Sequence, residues 1–131
     1  MIHLEISTSH TSEMVDITEM VHEAVIKKGI RSGLVTVFVP HTTASVILFE
    51  NIDPQLRRDF LEALGRVAPA SHPYHHQGEN AAAHIKSALC GPRVVVPMEE
   101  ARLQLGEWQG IFLCEFDGPR DRRVIVQVVN G

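Results

Sequence analysis

Three histidines stand where an imidazole could do chemistry: His41, His76 and His84, out of eight in the chain. His41 follows Pro40 at the end of an apolar run, where a side chain can be held rigidly at the edge of a cleft. His76 lies in the polar stretch Tyr74-His75-His76-Gln77-Gly78, and His84 follows in an Ala-rich segment. Neutral imidazole is the commonest protein ligand for zinc and its neighbours, and three protein ligands with one open position form a catalytic site. A continuous helix from His76 to His84 would separate them by about 12 Å along its axis. That is too far for one ion sitting about 2 Å from each nitrogen. His76 is therefore expected in non-helical backbone that folds back over His84, with Gly78 permitting the bend. Loop histidines such as His72 and His75 are ordinarily solvated, so spacing alone leaves both a shared divalent metal and independent surface histidines open. His3, His10 and His22 read as structural or surface residues.

Two carboxylates, Glu50 and Glu115, each end an apolar run. A carboxylate there can ligate a metal, orient a ligating imidazole, act as general base, or simply be solvated. Arg120, Arg122 and Arg123 cluster beside Asp117-Gly118-Pro119. The forked guanidinium donors of Arg120 and Arg122 suit a phosphate; a solvated hairpin end is the plainer reading. Trp108 and Gln109 could stack on and hydrogen-bond a flat ring, although a lone Trp more often buries in a core.

The elements that must position these residues follow from periodicity. Residues 2–8 alternate apolar and polar, as in a half-buried strand. Asp16-Ile17-Thr18-Glu19 resembles a capping box, and Ile17, Met20, Val21, Ala24 and Val25 share the face of a helix that Gly29 should end. Leu34–Val39 is apolar on both faces apart from Thr36, and such a strand needs cover on both sides from its own fold or a partner subunit. Ala44–Phe49 reads as a strand. Asp53-Pro54 starts a helix whose buried face is Leu56, Phe60, Leu64 and Val67. Residues 68–78 are loop, and Glu79–Leu89 is a short helix ended by Gly91-Pro92. Arg93–Pro97, Gly110–Glu115 and Arg123–Val129 read as strands, with Asp117-Gly118-Pro119 the turn between the last two. These strands with three helices imply a single α+β domain over residues 1–131 with a mostly antiparallel sheet.

Composition narrows the function classes. The 131 residues fit one domain large enough to bury a core without staples. Asp and Glu outnumber Lys and Arg by 16 to 12, a net charge of −4 that argues against nucleic acid as a partner. A local basic pocket for a small phosphorylated molecule stays compatible with that charge. Cys90 and Cys114 have no CxxC spacing and read as reduced and partly buried. No secretion signal or membrane-length apolar run is evident, which makes the cytoplasm the expected compartment and a membrane an unexpected partner.

The strings His41-Thr42-Thr43-Ala44-Ser45, Glu50-Asn51-Ile52-Asp53-Pro54 with Asp59, and Tyr74-His75-His76 come in a fixed order. They are followed by Glu79-Asn80-Ala81, His84-Ile85-Lys86, Leu105-Gly106-Glu107-Trp108-Gln109-Gly110-Ile111, and Glu115-Phe116-Asp117-Gly118-Pro119-Arg120 with Arg122. From Ile2 to Gly131 this order and spacing resemble the YjbQ-like family, also known as secondary thiamine-phosphate synthase proteins. The resemblance implies a compact α+β fold around a β-sandwich-like sheet, assembled as a homotrimer. It also implies a polar pocket near subunit contacts holding His41, His76 and His84 around a divalent metal. The activity it implies joins a pyrimidine pyrophosphate to a thiazole phosphate. The imidazole set suits a Zn-like ion better than Mg²⁺, the usual ion of pyrophosphate chemistry. Three function classes remain: a metal-dependent enzyme acting on a phosphorylated small molecule, a protein that binds metal or ligand without turnover, and a trimeric structural or partner protein that keeps the pocket as a relic.

Overall fold

The structure is a computed structural model and describes residues 1–131. Its elements run β1 (Ile2–Ser7), β2 (Glu13–Asp16), α1 (Thr18–Lys27), β3 (Gly33–Phe38), β4 (Ala44–Glu50), α2 (Pro54–Val67), α3 (Ala81–Cys90), β5 (Arg93–Glu99), β6 (Arg102–Leu103), β7 (Gln109–Glu115) and β8 (Asp121–Val129). Two antiparallel sheets form, one ordered β1-β8-β3-β5-β6 and one ordered β2-β7-β4. The α+β class, the antiparallel pairing and the three helices agree with the sequence reading.

Alternation along the strands builds the core. Ile6, Val35, Val37, Val96, Val124 and Val126 of the five-stranded sheet join Ala44, Val46, Ile111 and Leu113 of the three-stranded sheet in one buried cluster. Ile17, Val21 and Val25, at the start and on one face of α1, enter the same cluster, whereas Met20 is exposed. A second cluster of Ala83, Cys114 and Phe116, with Leu61 and Leu64, lies against the other face of the three-stranded sheet. The central strand of that sheet, β7, is therefore buried on both faces from Gly110 to Glu115.

The caps explain the helix boundaries. Asp53 accepts the Gln55 N–H at 2.9 Å ahead of Pro54, as its sequence implies. Asp16 accepts the Thr18 N–H at 3.0 Å, while Ile17 rather than Asp16 occupies the position before α1. Gly29, at φ 75°, closes α1 in a conformation that costs glycine little.

Several expectations change. β2 and β6 lie outside the strands that periodicity predicts, because four and two residues show no clear alternation and are strands only through pairing with β7 and β5. α3 begins at Ala81 rather than Glu79, β5 runs on to Glu99, and β8 starts at Asp121. Within one chain β3 buries only Val35 and Val37, and Leu34 and Phe38 are 48% and 39% exposed, so its own fold covers one of the two faces expected to be covered by the fold or a partner subunit. Its outer face is continuous with exposed Val95 and Val129 on the neighbouring strands. Asp117-Gly118-Pro119 is not a hairpin turn either, since β7 and β8 belong to different sheets and the turn carries the chain between them.

Candidate functional site

Arg122 is in phase with Val124 and Val126, so the alternation of β8 points it inward. A guanidinium in that position is tolerable only with a partner, since desolvating a lone charge costs several kcal/mol, on the order of a domain's whole stability. Glu115, in phase with Ile111 and Leu113, supplies that partner from the end of β7. Arg122 Nε donates to Glu115 Oε1 at 2.8 Å and Nη2 donates to Oε2. Nη2 also donates to the Thr43 carbonyl at 3.1 Å and to Thr43 Oγ1 at 2.8 Å. Thr8 Oγ1 donates to Glu115 Oε1 at 2.8 Å and accepts the Arg120 N–H at 3.0 Å. The Asp117 N–H closes on Glu115 Oε2 at 3.0 Å.

Glu115 thus accepts from four donors. Burial pushes its pKa up, but the bonds from Arg122, the Asp117 N–H and Thr8 outweigh burial and hold it below the ordinary carboxylate value. A saturated, ionised carboxylate fixes a cation and has no lone pair left to take a proton. The geometry gives Glu115 that role rather than general-base catalysis. Thr8 and Thr43 complete the network and have no sequence signal of their own. The phase of Arg122 with Val124 and Val126 was the signal that could have found the buried pair.

His41 sits just past β3. That strand ends at Phe38, opposite Ile125. Farther along β8, the Arg123 N–H is taken by His41 Nε2 at 2.9 Å. Burial lowers the pKa of His41, and the nearby positive charges of Arg122 and Arg123 lower it further. Its ring is neutral at pH 7. With Nε2 accepting, the ring proton resides on Nδ1, which becomes a donor. His41, Thr42, Thr43, Arg120 and Arg122 line a cavity of about 480 Å³. Ser45 Oγ, Asn51 Oδ1 and Arg57 Nε are the buried side-chain polar atoms left without partners. Arg122 Nη1 is not one of them although it bonds nothing in the chain, so it reaches the solvent of this cavity.

His76 and His84 meet elsewhere. Their ring centres are 5.4 Å apart, and both line a cavity of about 410 Å³ with Tyr74, His75, Ala81 and Ile85. His76 is in non-helical backbone ahead of α3, as expected. Two imidazoles on one tetrahedral ion place their ring centres about 5 Å apart, given metal–nitrogen bonds of about 2 Å. In its ring-centre separation the pair is close to that spacing. His41 does not join it: it lines the other cavity, and no three His, Cys, Asp or Glu side chains of one chain are grouped as a metal site.

The remaining site residues are gathered at the opposite end of the three-stranded sheet. Ala44 pairs with Glu115, but Glu50 pairs with Gln109, six residues along β4, a distance of about 20 Å. Glu50 accepts the Ile52 N–H at 2.6 Å and the Asp53 N–H at 3.1 Å, tying down the turn before α2. Trp108 is 56% exposed rather than core, and its carbonyl accepts the Asn51 N–H at 3.0 Å. Gln109 Oε1 accepts the Gly106 N–H at 2.8 Å. These three residues cannot share one small ligand with Arg122 in the same chain.

Both cysteines are free; burial, followed by the proximity of Cys90, pushes the Cys114 thiol up to about 12. No helix is long and apolar enough to cross a membrane.

Comparison with known proteins agrees with the fold and motifs. The model of the UPF0047 protein YjbQ-like family matches residues 2–131. The UPF0047 protein YugU of Bacillus subtilis is 42% identical over 128 residues, covering 97% of each chain. A UPF0047 protein of Archaeoglobus fulgidus is 42% identical over 130 residues, covering 98% of this chain and all of its own. A crystal structure of an uncharacterised family protein from Clostridium acetobutylicum superposes with a TM-score of 0.95 at 43% identity, covering 98% of this chain and 100% of that one. The conserved hypothetical protein TT1486 of Thermus thermophilus gives a TM-score of 0.92 at 40% identity, again over 98% and 100%. On sequence and on fold alike, this chain belongs to the UPF0047 YjbQ-like family.

Proposed function

We propose that the chain binds a phosphorylated small molecule, with the phosphate held in the cavity of His41, Thr42, Thr43, Arg120 and Arg122. The observation that carries this reading is Arg122: its side chain is 2% exposed and clamped by Glu115, yet Nη1 is left free toward that cavity. A guanidinium locked in place before the ligand arrives loses little entropy on binding and acts where water is scarce. Neutral His41 adds an Nδ1–H donor, and Arg120 adds a second positive charge at the rim.

His76 and His84 would hold a divalent, Zn-like ion in the neighbouring cavity, and Mg²⁺ is a poorer match to two imidazoles. Such an ion would supply Lewis-acid stabilisation of an anionic group. A third protein ligand would come from a second copy, which accords with a homotrimer as the working assembly. In the finer reading, the chain joins a pyrimidine pyrophosphate to a thiazole phosphate. Arg122, Arg120 and the His41 N–H would then stabilise the charge on the departing pyrophosphate. The apolar wall of Tyr74, Ala81 and Ile85 would seat a ring.

Calorimetric titration with inorganic phosphate and pyrophosphate tests the binding. The wild-type protein should bind, and Arg120→Ala and His41→Gln should each weaken binding by about tenfold or more, the value of one charge-assisted hydrogen bond. Unchanged affinity in both variants would overturn the anion site. Binding without turnover of the pyrimidine and thiazole substrates would select a ligand-binding protein over an enzyme.

A further inference from the structure

Asn80 stands immediately before α3, where Asn normally accepts a helix N–H, but its side chain makes no capping bond. Its carboxamide is engaged on both sides instead. Oδ1 is 3.1 Å from His76 Nε2, and Nδ2 donates to Asp117 Oδ2 at 3.0 Å. The same Asp117 oxygen takes Arg120 Nη2 at 3.1 Å, and Arg120 Nε donates to the Asp117 carbonyl at 2.8 Å. One amide therefore connects an imidazole of one cavity to a guanidinium of the other.

The chemistry of the amide fixes the direction of these bonds. Its NH₂ only donates and its oxygen only accepts. His76 Nε2 must therefore carry the ring proton, which leaves the Nδ1 lone pair free. The loop is built around this contact: a Cβ on Gly78 would lie 2.8 Å from His76 Nε2 and 3.1 Å from Asn80 Oδ1. A side chain at residue 78 would require the end of the His76 or Asn80 side chain to shift.

We propose that Asn80 is a positioning residue for both cavities. It holds His76 in the Nε2–H tautomer with Nδ1 presented to a divalent cation, and through Asp117 it aims Arg120 at the anion. A ligating histidine whose second N–H is held by a carbonyl oxygen is oriented before the metal arrives, and losing that partner typically weakens metal binding by about tenfold or more. The assignment rests on the proposed function in taking Zn²⁺ and phosphate as the two ligands. The two cavities are then halves of one site with a shared wall.

Three measurements on the whole protein test it: the ¹⁵N shifts of the His76 ring without metal, the Kd for Zn²⁺ against a chelating dye, and the Kd for inorganic phosphate by calorimetry. The wild type should show the Nε2–H tautomer. Asn80→Ala should give mixed tautomers, Zn²⁺ binding weaker by about tenfold, and phosphate binding weaker by about fivefold. Asn80→Asp keeps an acceptor for His76 but sets a carboxylate against Asp117. It should retain the tautomer and the Zn²⁺ affinity while still losing phosphate. Asn80→Ala with wild-type tautomer and both affinities unchanged would overturn the assignment, as would Asn80→Asp behaving like Asn80→Ala toward Zn²⁺. Should the wild type bind neither ion, the functional reading fails, and the tautomer measurement still decides whether Asn80 orients His76.

Discussion

Arg122 and Glu115 form a two-point ion pair at the inner edge of the two sheets, with side chains 2% and 0% exposed. Removing one partner leaves the other charged and buried. Arg122→Met or Glu115→Met alone should therefore cost about 3–5 kcal/mol, read from urea unfolding midpoints. The double variant should recover most of that loss, because well-packed apolar residues can replace a buried pair. It should also fail to bind phosphate. A double variant no more stable than the singles would show that the network, not the burial of charge, holds this corner.

Stability should fall on acidification in two stages. The folded pKa of His41 lies below its ordinary value of 6.5, so the unfolded chain takes up that proton first as pH drops below 6.5. Its contribution is complete above 6.5 and is lost down to the folded value. Glu115 is likewise held below its ordinary 4.5, so its contribution is present above 4.5 and lost as pH falls through its folded pKa. Urea midpoints measured from pH 8 to pH 3 check this. His41→Gln should flatten the first stage and leave the second.

The β5–β6 turn carries strain that glycine would relieve. Glu100 and Ala101 have φ of 50° and 64°, and the Ala101 carbonyl is 2.9 Å from His22 Nε2. Ala101→Gly should raise stability by up to about 1 kcal/mol, seen as a higher melting temperature. His22→Ala should lower it.

Gly78→Ala should displace His76, because the added Cβ would meet Nε2 at 2.8 Å. Zn²⁺ affinity should fall by about tenfold with little change in unfolding midpoint, since the loop is exposed. Equal Zn²⁺ affinity would take His76 out of the metal site.

The bare face of the five-stranded sheet supports self-association. Leu34, Phe38, Val95 and Val129 are 39–60% exposed on adjacent strands, an apolar patch of the kind that marks an interface. Sedimentation equilibrium should give three times the 14.6 kDa chain mass, and Leu34→Glu with Val129→Glu should shift it toward one. A wild-type mass near 14.6 kDa at micromolar concentration would remove the trimer.

Local chemistry in the sequence determined what depends on neighbours in the chain. The Asp53-Pro54 cap, the stop at Gly29, the alternation of β1 and β8 and the bend that frees His76 from α3 follow from residues within a few positions of each other. Only the tertiary structure decided what depends on which strands meet. β2 is a strand because β7 offers it a ladder, and within one chain the strand covered on both faces is β7 rather than β3 because α2 and α3 pack on the three-stranded sheet. The site divides in the same way. Residue types pointed to His41, His76, His84, Arg120 and Arg122, but spacing in sequence carries no information about which cavity each enters. The crossing between sheets at residues 116–120 brings Arg122 under Glu115 and Thr43, leaves His41 apart from His76 and His84, and sends Glu50, Trp108 and Gln109 to the far end of the sheet. A side chain's role is set by the partners within hydrogen-bond reach, and in this chain several of those partners lie 37 to 112 residues away.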